Sequence, residues 1–190
     1  MTTPLSLNDI AERLQGYDPQ ALSARHVNDF LAQLVQPVCE QETVPLMQAH
    51  GRILACDVVS PISVPPHDNS AMDGFAFDGR SLPAAQDLQV VGTALAGKAW
   101  AGEVQAGQCV KIMTGAIMPK GLDTVIAQEL AQAQGDRVQI AAGLLQAGDN
   151  RRLCGEDLMA GQPALLAGTR LGPAACGLLA SLGLPQVCVR

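Results

Sequence analysis

Aromatic residues make up only 3% of the 190 residues, so a core of stacked rings is excluded and the interior must be built from Leu, Val, Ile, Ala and Met. Charge is sparse too: Lys+Arg 12 against Asp+Glu 18 leaves a net −6. The basic residues are scattered rather than clustered, which argues against a nucleic-acid or anionic-membrane surface. No apolar run approaches the length of a membrane span, and the N-terminus lacks the basic-then-apolar pattern of a signal peptide. The sequence therefore reads as that of a soluble, cytoplasmic protein. The six cysteines (Cys39, Cys56, Cys109, Cys154, Cys176, Cys188) include no C-x-x-C pair and no histidine at zinc spacing. A disulfide scaffold or a structural zinc site would group them, so most are expected to be buried thiols acting as small hydrophobes. His26, His50 and His67 are too dispersed for a metal cluster.

What is present in quantity is turn chemistry, with Gly 19 and Pro 12. The length allows one domain or two small ones. Ser6 is placed to cap a short amphipathic helix carrying Leu7, Ile10, Ala11 and Leu14, stopped near Gly16. A second helix follows from Ser23, where Val27, Phe30, Leu31, Leu34 and Val35 form a wide apolar stripe that Pro37 ends. Each stripe must pack on something. A brief strand is expected at 43–46, then a helical turn or two within 47–55. From about Asp57 to Leu171, short β-compatible runs at 88–91, 109–113, 124–128, 137–141 and 164–166 alternate with recurring Ala-Gly pairs. Repeated turns at short spacing predict a curled β-sheet or barrel rather than βαβ units. Pro173 and Gly183 bracket a helix over 174–182, and a strand follows at 186–190. That last strand runs into the end of the sequence, so continuation beyond Arg190 is expected.

The stretch 64–79 organises the rest: Val-Pro-Pro-His-Asp-Asn-Ser-Ala-Met-Asp-Gly-Phe-Ala-Phe-Asp-Gly. Two prolines stiffen its entry. His67, Asp68, Asn69, Ser70, Asp73 and Gly74 then crowd polar and turn-forming groups into a segment too irregular for helix or strand. Phe75-Ala76-Phe77 resumes a period-two pattern, and Asp78-Gly79 turns again. A rigid polar loop between two β segments, with Asp68, Asp73 and Asp78 five apart, can grip a polyhydroxylated or phosphorylated ligand or a hard cation. Its Asp, Asn and Ser can equally close turns on their own backbone, the account composition alone favours.

Two further stretches carry chemistry. Around 109–121, a strand delivers Thr114 and Gly115 at its end, with Lys111 and Lys120 nearby. A hydroxyl and backbone N–H groups there could meet an anion, although no Walker A ending is present; a plain strand-to-turn corner explains the residues as well. Around 149–161, Arg151 and Arg152 precede Glu156-Asp157 across a glycine. Arginines clamp phosphate in bidentate fashion, and a carboxylate pair can bind Mg²⁺ with ligand phosphates. The alternative is a surface ion-pair loop of little energetic weight.

Together these stretches resemble the MoeA family, the molybdopterin molybdotransferases that include the gephyrin E domain. The carrying residues are Asp68-Asn69-Ser70-Ala71-Met72-Asp73-Gly74, Ile112-Met113-Thr114-Gly115-Ala116 with Gly121, and Asp123-Thr124-Val125 with Gln128-Glu129. Gly155-Glu156-Asp157, Ala167-Gly168-Thr169-Arg170-Leu171 and Ala180-Ser181-Leu182-Gly183 complete the series in family order, from about His26 onward. The resemblance implies insertion of molybdenum from molybdate into adenylated molybdopterin, giving molybdenum cofactor and AMP with help from a divalent cation such as Mg²⁺. It implies an elongated homodimer with a cleft between subunits. The implied fold is mostly β (α+β). N-terminal helices occupy 1–40, a β-rich domain is formed by 41–58 plus 149–190, and a barrel-like domain over 59–148 is inserted in it.

By the same resemblance Asp73, Thr114 and Asp157 fall on cleft positions. Asp73 and Asp157 would manage the cation or the charge balance, and Thr114 would hydrogen-bond a phosphate or oxyanion. Asn69, Ser70, Arg151 and Arg152 would position substrate, and no metal ligand is assigned outright. The sequence departs from the family at Lys111 (usually Arg), Ile117 and Lys120 (commonly Pro and Glu), Phe75 (Tyr) and His67 (apolar). The family's C-terminal α/β domain, with its Gly-Asp-Glu-Leu segment and Ser-Gly-Gly-rich loop, is absent from the sequence. The chain is thus expected to be the N-terminal portion of such an enzyme and inactive alone. The alternatives are a short module that binds molybdopterin-like ligands without catalysis, and a scaffold supplying only a dimer surface.

Overall fold

A computed structural model describes residues 23–35, 38–82 and 84–190. The helix expected from Ser6 lies outside these residues. The second forms α1 (Ala24–Leu34), and Val27, Leu31 and Val35 on its apolar side are 39%, 49% and 68% exposed rather than packed.

The strands are β1 (Glu42–Pro45), β2 (Val58–Val59), β3 (Asn69–Ser70), β4 (Gly74–Phe77), β5 (Gln86–Ala94), β6 (Gln108–Ile112), β7 (Thr124–Ala127), β8 (Gln132–Gln134), β9 (Arg137–Ile140), β10 (Arg151–Arg152), β11 (Pro163–Leu165) and β12 (Gln186–Val189), with α2 (Pro173–Ser181) before the last. Six of them form one sheet in the order β7-β4-β6-β5-β9-β8. All its pairings are antiparallel except β5 with β6, which run parallel. The period-two pattern of 75–77 holds, but both faces of β4 are buried. Phe75 and Phe77 pack with Leu88, Cys109, Ile126, Val138 and Ile140, while Ala76 packs with Ala94, Val110, Ile112 and Val125. A strand with two buried faces carries no polar face, which explains why Phe75 needs no hydroxyl: at 6% exposure a phenol would have required a partner.

The remaining strands make three two-stranded ribbons, β1-β12, β2-β11 and β3-β10. A separate apolar cluster of Val44, Ala49, Leu54, Leu171, Leu179, Val187 and Val189 holds β1, β12 and α2 together. Pro173 starts α2, and Gly183, at φ +75°, follows its end.

Four expectations need correction. The segment 68–74 is not wholly irregular, because Asn69 and Ser70 pair with Arg152 and Arg151 as a strand. The helical turn or two expected within 47–55 is a single 3-10 turn that begins one residue earlier, at Leu46–Gln48. Asp78 lies at the opposite end of β4 from Asp73, where its carboxylate caps the turn Gly79–Ser81 and pairs with Arg80. Of the six cysteines only Cys109 is buried; Cys39 and Cys56 are exposed and the other three are half-buried, with no disulfide among them.

Candidate functional site

Antiparallel pairing sets the geometry. Gly74 opens β4 opposite Ile112, the last residue of β6, so the residues just outside the ladder, Asp73 and Met113-Thr114, face each other. The chain turns at once: Ala116 N–H donates to Met113 O at 2.9 Å, and Gly115 takes φ +77° at the third position. A positive φ there favours glycine, and it leaves Thr114 at the corner beside Asp73. Oδ1 of Asp73 accepts from both the Thr114 N–H and the Thr114 hydroxyl, each at 2.7 Å. The backbone of Asp73 is fixed from the other side, where its carbonyl accepts from Gln128 N–H at 3.0 Å just past β7.

Those bonds control charge. The Thr114 N–H, then its hydroxyl and more weakly the Lys111 ammonium, hold the Asp73 carboxyl below its ordinary range. Asp73 is therefore a carboxylate at neutral pH, with Oδ1 committed to Thr114. Its Oδ2 takes no hydrogen bond among the described residues.

β3 threads between this corner and the arginine pair. On one side Ser70 N–H donates to Ala116 O at 3.0 Å and Gly115 N–H donates to Ser70 O at 2.8 Å; on the other β3 pairs with β10. The Ser70 hydroxyl is turned inward, donating to Met72 O at 2.6 Å, so it braces the loop. Beyond β10 a second turn has the same form as the first: Glu156 N–H donates to Leu153 O at 3.1 Å, with Gly155 at φ +75°. It folds Glu156 and Asp157 back onto Arg152. The Arg152 guanidinium bonds Glu156 and, at 2.6 Å, Oδ2 of Asp157. The Arg152 side chain, and then the Leu153 N–H, hold the Glu156 carboxyl below its ordinary value. Asp157 is anchored through its backbone N–H to Val64 O at 3.0 Å.

The structure thus brings the seven residues proposed for the site onto two neighbouring turns joined by the β3–β10 ribbon. Asp73 and Thr114 stand on one, Arg152 and Asp157 on the other, with Asn69, Ser70 and Arg151 between. Two buried polar atoms on that ribbon, Oδ1 of Asn69 and Nε of Arg151, have no partner among the described residues. An acceptor and a donor left open on paired strands form a place where a polar ligand recovers hydrogen bonds the protein does not make.

Two further residues have structural roles here: Asp68, one of the three evenly spaced carboxylates, and Asn150, which was not singled out by the sequence. Asp68 accepts from Cys154 N–H at 2.8 Å and stands 3.6 Å from Arg151 Nη1, tying the loop to the arginine turn. Asn150 adopts φ +57°, accepts from Ala71 N–H at 2.9 Å and donates its amide to Val125 O at 2.9 Å. Its signal was present, since Asn tolerates the left-handed region better than other side-chain-bearing residues do.

A pH dependence follows from the depressed carboxyls of Asp73 and Glu156. A carboxyl whose pKa is lowered on folding stabilises the folded state above its unfolded pKa of about 4, and that contribution is lost as pH falls through the lowered value. The urea midpoint is expected to fall as pH drops from about 5 through the ordinary carboxyl range and below it, and to fall less steeply in the Asp73→Asn/Glu156→Gln double variant. Parallel slopes for the two proteins would exclude these carboxyls as the source.

A family model described as the MoeA N-terminal region (domain I and II) matches residues 22–183. The molybdopterin molybdenumtransferase of Haemophilus influenzae is 40% identical over 162 residues, covering 85% of this chain and 40% of that protein. The protein of that name from a Nostoc species is 38% identical over 184 residues, covering 93% and 42%. Among solved structures, a molybdopterin biosynthesis MoeA protein of Pyrococcus horikoshii superposes with a TM-score of 0.75 at 33% identity, covering 82% of this chain and 42% of that one. The chain therefore spans about two-fifths of the length of these relatives.

Proposed function

Because the chain belongs to the MoeA family, matched over its N-terminal region, we propose that it is the part of a molybdopterin molybdenumtransferase that presents Asp73, Thr114, Arg152 and Asp157 to adenylated molybdopterin and molybdate. The observation that carries this reading is the Asp73–Thr114 pair, in which two donors of one residue converge on a single carboxylate oxygen. Thr114 fixes the carboxylate in position and keeps it ionised. Asp73 then presents its other oxygen as a fixed negative charge or proton acceptor. Arg152, paired with Glu156 and Asp157, and Arg151, paired with Asp68, offer guanidinium groups that a phosphate would engage in exchange for those carboxylates. Asn69 Oδ1 and Arg151 Nε offer the ligand an acceptor and a donor.

Asp73, with Oδ2 unbonded among the described residues, leaves one carboxylate oxygen for a divalent cation. Mg²⁺ takes one or two carboxylates and fills its remaining positions with waters and substrate phosphates. No group of three or more His, Cys, Asp or Glu able to hold a metal gathers among the described residues, so these residues offer no all-protein cage. Asp73 and Asp157 would hold the ion, which when bound would neutralise phosphate charge. The proposal extends to a homodimer, supported by the exposed apolar side of α1, and to a cytoplasmic setting, supported by six cysteines dispersed without the clustering of a disulfide scaffold. No helix among the described residues is long and apolar enough to cross a membrane.

The test is a chimera in which residues 22–183 replace the matching region of the Haemophilus influenzae relative. It is expected to convert adenylated molybdopterin and molybdate to molybdenum cofactor, while the 190-residue chain alone does not. A folded chimera that binds neither substrate, or turnover by the chain alone, overturns the proposal.

A further inference from the structure

β12 has a second neighbour besides β1. Leu54 is bridged antiparallel to Val189. Ala55 N–H donates to Cys188 O at 3.0 Å, and Arg190 N–H donates to Ile53 O at 2.8 Å. These two bonds flank Leu54 and Val189 as a non-hydrogen-bonded pair, and both side chains are fully buried. Side chains alternate along a strand. Cys188, between buried Val187 and Val189, therefore lies on the opposite face, where it is half-buried. Directly across from it is Ala55, and the chain bends at Ala55 and Cys56. Cys56, the residue after Ala55, is exposed; burial first, and then the neighbouring Cys188 thiol, raise the Cys56 thiol above its ordinary value, while the Cys188 thiol donates to Gln41 Oε1 at 3.7 Å. Two cysteines 132 residues apart in sequence are thus brought to neighbouring positions at the seam between residues 53–56 and β12.

We propose that Cys56 and Cys188 form a reversible dithiol–disulfide couple that exchanges with small-molecule disulfides of the glutathione type. One protein thiolate attacks a sulfur of the small disulfide, forming a mixed disulfide and releasing one small thiol. The other protein thiolate attacks the protein sulfur of that mixed disulfide, closes the Cys56–Cys188 bond and displaces the second small thiol. Two electrons and two protons leave the protein pair and reside in the two released thiols. The bond ties the 53–56 segment to β12, fastening the seam that carries Leu54 and Val189. Cys109 and Cys176 are poorer candidates for this chemistry: Cys109 is buried, and burial pushes its thiol up to about 11, and Cys176 packs against the cluster around α2.

The test is incubation of the chain with oxidised glutathione at about pH 8.5, near an ordinary thiol pKa, followed by acid quench, alkylation and non-reducing peptide mapping. The expected product is lighter by two hydrogens, carries no glutathione at either position, and yields a peptide linking Cys56 to Cys188 that dithiothreitol opens. Cys56→Ser and Cys188→Ser are each expected to retain one glutathione on the remaining partner. Glutathione on both positions of the unmodified chain, both thiols left reduced, or a bond from either to another cysteine overturns the proposal. The unmodified chain decides the matter even where a serine variant fails to fold.

Discussion

Gly74→Ala is expected to cost the chain about 3 kcal/mol or more, the upper range of overpacking in a well-packed interior. A Cβ at this position would lie 1.8 Å from the Ile126 carbonyl oxygen, 2.8 Å from its carbon and 3.1 Å from Ala127 Cα. All three are backbone atoms of β7, so no rotamer change relieves the clash. Relief requires β7 to move, and β7 is paired to β4 along its whole length, from Gly74↔Ala127 to Phe77↔Thr124. The same movement would loosen the Gln128 N–H bond that holds the Asp73 backbone. For a chain of this size the loss corresponds to a melting temperature lower by roughly 10 °C. Gly177→Ala is the matched control. It lies within α2 with nothing within 4 Å of the added methyl, and is expected to stabilise by about 0.5–1 kcal/mol. Thermal unfolding of both decides the point, and a Gly74→Ala protein melting with the parent would mean that the sheet absorbs the methyl.

The second large effect is on turnover. In the chimera, Asp73→Asn is expected to lower kcat by about a hundredfold, the scale of losing a positioned acid–base or charged group. The amide oxygen still accepts from Thr114, so the turn and the fold survive; what disappears is the ionised carboxylate. Thr114→Val keeps the backbone N–H and removes only the hydroxyl, so its loss is expected to be near tenfold. Steady-state kinetics with circular dichroism on the same samples separates these outcomes from misfolding. An Asp73→Asn enzyme with unchanged kcat would reduce Asp73 to a loop brace. It would also favour the scaffold reading, in which this portion supplies surface rather than chemistry.

Much of the β architecture was legible in local pattern. Strands were expected at 88–91, 109–113, 124–128 and 137–141, and they appear there as β5, β6, β7 and β9, with β5 longer at both ends. The helix after Gly172 was equally readable, because Pro173 and Gly183 act through local backbone geometry alone. Less legible were the two-residue strands. Asn69–Ser70 and Arg151–Arg152 are polar, short and without β-branched residues. Their strand character comes from each other, across more than eighty residues of sequence, and neither segment shows it alone. The parallel pairing of β5 with β6 was hidden for the same reason, since side-chain alternation does not encode the direction of a neighbour.

The candidate site divides along that line. The sequence by itself determined which groups were available: an Asp before a Gly-Phe-Ala-Phe strand, a Thr-Gly corner and an Arg-Arg turn closing on Glu-Asp, because residue type and turn chemistry are properties of adjacent residues. Only the tertiary structure decided their use. Asp68, Asp73 and Asp78 look alike in sequence, spaced five apart. Packing sends Asp78 to the far end of β4 as a cap, gives Asp68 to the Cys154 N–H, and leaves Asp73 ionised against Thr114 with one oxygen open. Likewise nothing in the spacing of six cysteines marks Cys56 and Cys188 as neighbours; the pairing of residues 53–55 with β12 does. A carboxylate's charge and a thiol's partner depend on what lies within a few ångströms, and at these positions those neighbours come from distant parts of the chain.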